Sequence, residues 1–497
     1  MSDRPPNILF ITTDEHRFDC LGCYGNPVIR TPNLDRIAEE GVRFERGYVQ
    51  NPMCMPSRMA IMLGRYCSEH GCNINCVGIP EHEQANTFIQ ALHDAGYLTA
   101  AIGKMHMMPK WGPFGFAYLD LVEGKADLNN QYTDYLRARG LDGKQHEGRG
   151  EGGAVPGTRT AVLPAEHTID AFVGRRGAQW LADWDGDEPF FLWLSFSNPH
   201  FPFDPPEPYD TMYDPDEVPG PVWREGEMDD KPTQRQLQQE RGYDRYSDDE
   251  LRQVIAHYYG NVTLVDDQVG EVLAVLEEKG LMENTLIAFT SDHGDHLGDH
   301  RLLHKSGVTF YDISVRVPFL VRYPDRFPQG AVCEELVETI DLSATFLDIA
   351  GAEVPAGMQG RSLVGLAEGT VDDWRDDAFS EIDLHINPRM HGPNDPGSRD
   401  YVAMVCTREW KYVHFPNLGI GELYDLVNDP HELTNLFYDE AYADQLAAMR
   451  LRLLNRYMGN QRPYIGERTE GFREHYLADH RPPSPIPGVV YAPTDVP

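Results

Sequence analysis

The sequence predicts an α/β protein: a large doubly wound, mostly parallel mixed sheet with helices on both faces, plus a smaller C-terminal α+β domain with an antiparallel sheet. Two observations predict the large sheet. Short apolar runs of strand length alternate with helical stretches, and four of five such runs end in Asp, His or Lys. A third observation predicts the small domain. After about Gly369 the pattern turns to the alternation of a hairpin.

The elements follow in chain order. Asn7-Ile8-Leu9-Phe10-Ile11 is apolar enough for a strand buried on both faces, and it runs into Thr12-Thr13-Asp14. Leu34 to Glu40 reads as a helix closed by Gly41. Tyr97 to Ile102 is a second strand, leading into Gly103-Lys104-Met105-His106. Phe190 to Phe196 is a third and leads into Asn198-Pro199-His200. Val262, Val265, Val269, Val272, Leu273 and Leu276 recur at helical spacing in a long helix that Gly280 ends. Thr285 to Thr290 is a fourth strand, leading into Ser291-Asp292-His293-Gly294, and Val317 to Val321 is a fifth. In such sheets ligands bind beyond the carboxyl ends of the strands.

Between these elements lie two long excursions. Leu121 to Leu163 is rich in Gly and polar residues and reads as an extended insertion. Phe201 to Glu250 holds fifteen acidic residues, five basic ones and eight prolines, and reads as a surface excursion. In the last part, Tyr401 to Cys406 and Trp410 to Phe415 pair across Thr407-Arg408-Glu409, and Ala441 to Met458 is an amphipathic helix. The expected division is an N-terminal α/β domain over 1–370, a C-terminal α+β domain over 371–480 and a proline-rich tail over 481–497, docked or loose.

Composition narrows the function. Over 497 residues, 79 acidic against 43 basic side chains leave a formal net charge of −36. Such a surface repels the phosphate backbone, so nucleic acid and anionic membrane are poor partners. No apolar run approaches the roughly 18 residues of a membrane span. The start, Met1-Ser2-Asp3-Arg4-Pro5-Pro6, has no apolar signal core, so a cytoplasmic location is expected. The eight cysteines then read as free thiols. Cys20-Leu21-Gly22-Cys23 with Cys72 and Cys76 fits a zinc site poorly, because the second pair is spaced C-x-x-x-C and no finger histidine follows.

Chemistry gathers at the strand ends. Asp14 and Glu15 sit at one, Asp292 and His293 at another, a donor set suited to a hard or borderline divalent cation. Lys104 and His106 lie two apart after a strand, His200 follows another, and His304 and Lys305 lie just downstream of Asp292. Cys54-Met55-Pro56-Ser57-Arg58 precedes an apolar helical segment from Met59 to Leu63, with Ser57 placed to cap it and Arg58 to face an anion. A cysteine at a helix start is a candidate nucleophile.

At these residues the sequence resembles the type I sulfatases of the alkaline phosphatase superfamily. Cys54-Met55-Pro56-Ser57-Arg58 matches their C-x-P-S-R signature. Gly96 to His106 resembles the second signature, usually ending Gly-Lys-Trp-His, with Met105 in place of the Trp. Ser291 to His300 resembles the metal segment, Asn198-Pro199-His200-Phe201-Pro202 the Pro-His-x-Pro stretch, and Glu422 to Leu436 the C-terminal domain.

The resemblance implies an alkaline phosphatase-like fold and a Cys54 oxidised to formylglycine by a separate formylglycine-generating enzyme. One hydroxyl of the hydrated aldehyde attacks sulfur to give a covalent sulfate ester, and the second loses a proton and collapses to release sulfate. By the same resemblance Asp14, Glu15, Asp292, His293 and the modified Cys54 hold one divalent metal. Calcium is the family default, and an imidazole ligand also admits manganese or zinc. Arg58 orients the formylglycine, Lys104 and Lys305 bind sulfate oxygens, His106 takes the proton of the collapse, and His200 with Lys305 protonates the leaving alcohol. The family commonly has a second Asp where Glu15 stands, and many members have Asn where His293 stands. The resemblance therefore points to a small-molecule sulfate ester as substrate. The alternative is a phosphonate monoester or phosphodiester, cleaved on the same scaffold by relatives without the Lys104–His106 pair. The tail after Arg481 suits either its own chain or a second copy in a homo-oligomer.

Overall fold

The computed structural model describes residues 5–112, 114–123, 130–147, 155, 157–186, 188–384, 401–460 and 490–491. Its strands, in chain order, are β1 (Asn7–Asp14), β2 (Val42–Tyr48), β3 (Leu98–Gly103), β4 (Tyr118–Leu121), β5 (Phe190–Pro199), β6 (Thr285–Ser291), β7 (Arg316–Val317), β8 (Phe319–Arg322), β9 (Ala331–Glu338), β10 (Ala378–Asp383), β11 (Tyr401–Cys406), β12 (Trp410–Phe415), β13 (Ile420–Asp425) and β14 (Val490–Tyr491). Ten of them form one sheet in the order β14-β4-β3-β5-β1-β6-β8-β2-β7, with β9 against β2. The neighbours β3, β5, β1 and β6 are mutually parallel. Their carboxyl ends therefore share one edge of the sheet.

Both faces of that sheet are covered. Ile8 and Phe10 of β1 pack with Met59, Ile61, Phe88, Leu92, Phe346 and Leu347 on one side. Leu9 and Ile11 pack with Leu34, Ile37, Phe172, Val265 and Val269 on the other. Successive strand side chains point to opposite faces, so one apolar run feeds two cores. This is the doubly wound architecture the sequence implied. The long helix spans Asp248–Glu278 and opens with a capping box between Ser247 and Glu250.

Four local expectations are corrected. The helix after the cysteine motif starts at Cys54, and Ser57 lies inside it with its hydroxyl buried and unpartnered. The cap comes from elsewhere: Asn51 Oδ1 accepts the Met53 N–H at 3.0 Å, and Asn75 Oδ1 accepts that of Met55 at 2.9 Å. Pro56 fits the first turn, where its missing N–H has no intrahelical partner to lose. The insertion from Leu121 carries a helix, Gln131–Ala138, because Tyr132, Tyr135 and Leu136 fall on one face and pack against Phe172. The acidic excursion is pinned to the core: Phe203, Tyr213 and Val218 bury against Val254, Tyr258 and Val262 of the long helix. The expected fifth strand is two, β7 and β8, parted at Pro318, and both run antiparallel to β2.

The four strands β10 to β13 form the antiparallel sheet, in sequence order. Its hairpin β11–β12 turns where expected, and the helix Ala443–Asn460 packs Met449 and Leu453 against Tyr412 and Leu423. The other face meets the large sheet through Tyr48, Val315 and Val317. Lys411 is buried at this junction, 2.6 Å from Asp312 and 2.7 Å from Glu432. From the expected tail, β14 pairs in parallel with Tyr118 and Leu119, and the rest of 481–497 lies outside the described residues. No helix among the described residues is long and apolar enough to cross a membrane.

Candidate active site

β1, β3, β5 and β6 end at one edge, so the residues that follow them meet there. Asp14 closes β1, Lys104 follows β3, His200 follows β5, and Asp292 and His293 follow β6. The helix Cys54–Leu63 points its first residue at them. Cys54 Sγ lies 3.1 Å from His293 Nε2 and 3.6 Å from Asp14 Oδ1. His293 Nδ1 donates to the Gly294 carbonyl at 2.9 Å, which turns Nε2 toward the cysteine.

Arg58, one turn further along the helix, is 1 % exposed. Its Nε donates to Asp292 at 2.7 Å, its Nη1 to the Lys104 carbonyl at 2.5 Å and to Ser195 Oγ at 2.8 Å, and its Nη2 to Asp14 at 3.4 Å. Lys104 Nζ stands 2.5 Å from Asp14 Oδ2. Lys305 gives both its backbone N–H and its ammonium to Glu15, at 2.9 and 3.1 Å. His200 Nδ1 donates to the Phe201 carbonyl at 2.6 Å and leaves Nε2 3.4 Å from Glu15. His106 has a left-handed φ of 52°, its N–H donates to Glu123 at 2.8 Å, and its Nδ1 is buried without a partner.

The electrostatics follow from this packing. Burial works against the charged form of Cys54, yet Lys305, His293, Lys104 and His106 together pull the thiol well below its usual range. Burial and the neighbouring cysteine also oppose Asp14, but Lys104, His200 and Lys305 hold it far down. Burial raises Asp292 despite Arg58, because Asp14 is close. His293 is buried, which disfavours its cation, but Asp292 and Cys54 bring it up to about 9.

Asp14, Cys54, Asp292 and His293 place their ligand atoms within 4.8 Å of one another, and all four are buried. Two carboxylate oxygens, an imidazole and a residue-54 atom in a dry space suit a hard or borderline divalent cation, so the donor set fits. Glu15 stands outside this group of four. It falls with Asp14 and His200, and also with Asp295 and His304. All eight cysteines are free, and among the described residues Cys20, Cys23, Cys72 and Cys76 join no such group.

Three contacts here had no part in the sequence reading. Ser195 holds Arg58, Glu123 holds the His106 backbone, and Asn75 holds the start of the cysteine helix. Only Ser195 carried a signal, as the one polar residue in the apolar run Phe190 to Phe196.

A doubly wound sheet with a cluster of carboxylates, cations and a helix-borne cysteine at its carboxyl edge is the arrangement that the resemblance to the alkaline phosphatase superfamily implies. Comparison makes the class specific. The chain matches the family described as Sulfatase over residues 6–352, and its C-terminal part matches N-sulphoglucosamine sulphohydrolase, C-terminal, over 298–458. It belongs to the sulfatase family and is a sulfuric ester hydrolase. It is 33% identical to an arylsulfatase of Clostridium perfringens, across 92% of this chain and 96% of that one. It is 28% identical to an N-acetylglucosamine-6-O-sulfatase of Bacteroides thetaiotaomicron, across 88% and 84%. Among solved structures, a phosphonate monoester hydrolase of Agrobacterium radiobacter superposes with a TM-score of 0.79 at 28% identity, covering 92% of this chain and 96% of that one.

Proposed function

We propose that the chain cleaves sulfate monoesters with residue 54 carried as formylglycine, installed by a separate maturing enzyme, and with one divalent cation held by Asp14, Asp292, His293 and the residue-54 oxygen. One observation supports this above all. Cys54 opens a buried helix against His293 and Asp14, with Lys104 on the same Asp14 oxygen, Oδ2, that Arg58 reaches. A bound cation, calcium or alternatively manganese or zinc, supplies positive charge for a sulfate oxygen and acidifies the attacking hydroxyl. The hydrated aldehyde supplies the oxygen nucleophile and a second hydroxyl through which sulfate is released.

The remaining work falls to the chain's own side chains. Arg58 fixes Asp292 and Asp14 and keeps the start of the helix in register with them. Lys104 and Lys305 neutralise the equatorial oxygens of the transferring group, which carry its charge. His106, with an unpartnered Nδ1, accepts the proton of the collapsing hydroxyl. His200, its Nδ1 already committed, presents Nε2 to protonate the leaving alcohol. Glu15 holds Lys305 and keeps a place beside the cation site.

A second reading is favoured by the phosphonate monoester hydrolase neighbour, which covers most of the chain. Steady-state kinetics on an aryl sulfate and an aryl phosphonate monoester separate the two. We expect the larger kcat/KM on the sulfate, and a larger value on the phosphonate ester would sink the first reading. Mass spectrometry of the Cys54 peptide should find the aldehyde when a maturing enzyme is co-expressed. Full activity from protein carrying only the thiol would overturn the nucleophile.

A further inference from the structure

Tyr258 lies in the long helix Asp248–Glu278 and is fully buried. Its hydroxyl donates to the Glu15 carbonyl at 2.6 Å and accepts the Arg17 N–H at 2.9 Å. Glu15 is left-handed, with φ 69°, a conformation that a residue with a Cβ keeps only where its surroundings impose it. From that turn the Glu15 N–H reaches Asp292 Oδ1 at 3.1 Å, and its carboxylate takes both donors of Lys305. The far side of the turn is held by Ser291 Oγ, which accepts the His16 N–H at 2.9 Å. One helix-borne hydroxyl therefore fixes the peptide whose side chain seats an ammonium of the site.

We propose that Tyr258 is a positioning residue for the anion subsite. Through the Glu15 turn it sets where Lys305 stands, without itself touching the substrate. The proposal rests on the reading of Lys305 as a sulfate-binding group. It differs from the role of the neighbouring Tyr259, equally helical and buried, whose hydroxyl accepts from Asn26 at 2.8 Å.

That neighbour supplies the control. Binding of inorganic sulfate is measured by isothermal titration calorimetry on the full chain in calcium buffer, for the wild type, Tyr258→Phe and Tyr259→Phe. Each variant loses one buried hydroxyl. We expect Tyr258→Phe to bind sulfate about tenfold more weakly and Tyr259→Phe to stay within about twofold, since one well-placed hydrogen bond is worth about a factor of ten. Hydrogen exchange at the Arg17 amide should accelerate in Tyr258→Phe alone. Equal sulfate affinity in Tyr258→Phe and wild type overturns the positioning role alone. So does an equal loss in both variants, or a Tyr258→Phe protein that fails to fold where Tyr259→Phe succeeds. A wild type that binds no sulfate overturns the reading of Lys305 and the positioning role with it.

Discussion

Glu15 combines burial, a left-handed backbone and full ionisation. Burial alone would raise its carboxyl, but Lys305, His200, His293 and His304 outweigh it and bring the group down to about 2 from an ordinary 4.5. A depressed carboxyl adds stability that is complete above the unfolded value and lost as pH falls through the folded one. The Glu15 contribution is thus in place above about pH 4.5 and disappears toward pH 2, an effect on the order of 3 kcal/mol. In Glu15→Gln this part of the acid limb should vanish. Circular dichroism from pH 5 to pH 2 checks it, and superimposable curves for variant and wild type would refute it. At this scale the sequence was legible where a polar residue ended an apolar run, as at Asp14, Asp292 and His200. It misled at Ser57, which resembles a cap yet lies inside the helix. It was silent on Glu123 and Tyr258, whose partners are remote in the chain.

Elements place the site by where they stop. Gly103 ends β3 with φ 99°, and a Cβ there would stand 2.0 Å from the Ser195 carbonyl on the neighbouring strand. The close approach lets Lys104 N–H pair with that carbonyl at 2.9 Å while its side chain turns to Asp14. Gly103→Ala therefore carries both strain and a clash with backbone, a loss of about 3 kcal/mol or more. Urea unfolding should register it, and an alanine variant within 1 kcal/mol of wild type would contradict the reading. Strands buried on both faces were legible because their apolar runs are continuous. β2 and β9 went unseen, since β2 is interrupted by Arg43, Glu45 and Arg46, and β9 begins half-exposed. The helix Gln131–Ala138 was lost in a Gly-rich background although its three apolar positions share a face.

At the scale of the molecule, the chain carries a net −36, while Arg58, Lys104 and Lys305 collect at the sheet edge. The two sheets are joined by a buried charge cluster that no motif announced. Lys411 sits between Asp312 and Glu432, and the segment of Asp312 leads to Ser314, whose carbonyl accepts the Gly294 N–H at 2.8 Å beside His293. Lys411→Met leaves the buried Glu432 carboxylate without a cation and Asp312 with Arg316 alone at 3.5 Å, a loss of about 3 kcal/mol. Adding Glu432→Gln should restore part of it, and differential scanning fluorimetry on the two variants checks the order. The tail strand β14 has a colloidal consequence. β14 caps the large sheet beyond β4, matching the outer backbone of Tyr118 and Leu119 with Val490 and Tyr491. An uncovered edge recruits other edges. A chain cut after Asn460 keeps every proposed site residue but bares that edge. Its light scattering should climb with concentration where the full chain stays level, so the two-residue strand β14 bears on colloidal stability more than on turnover.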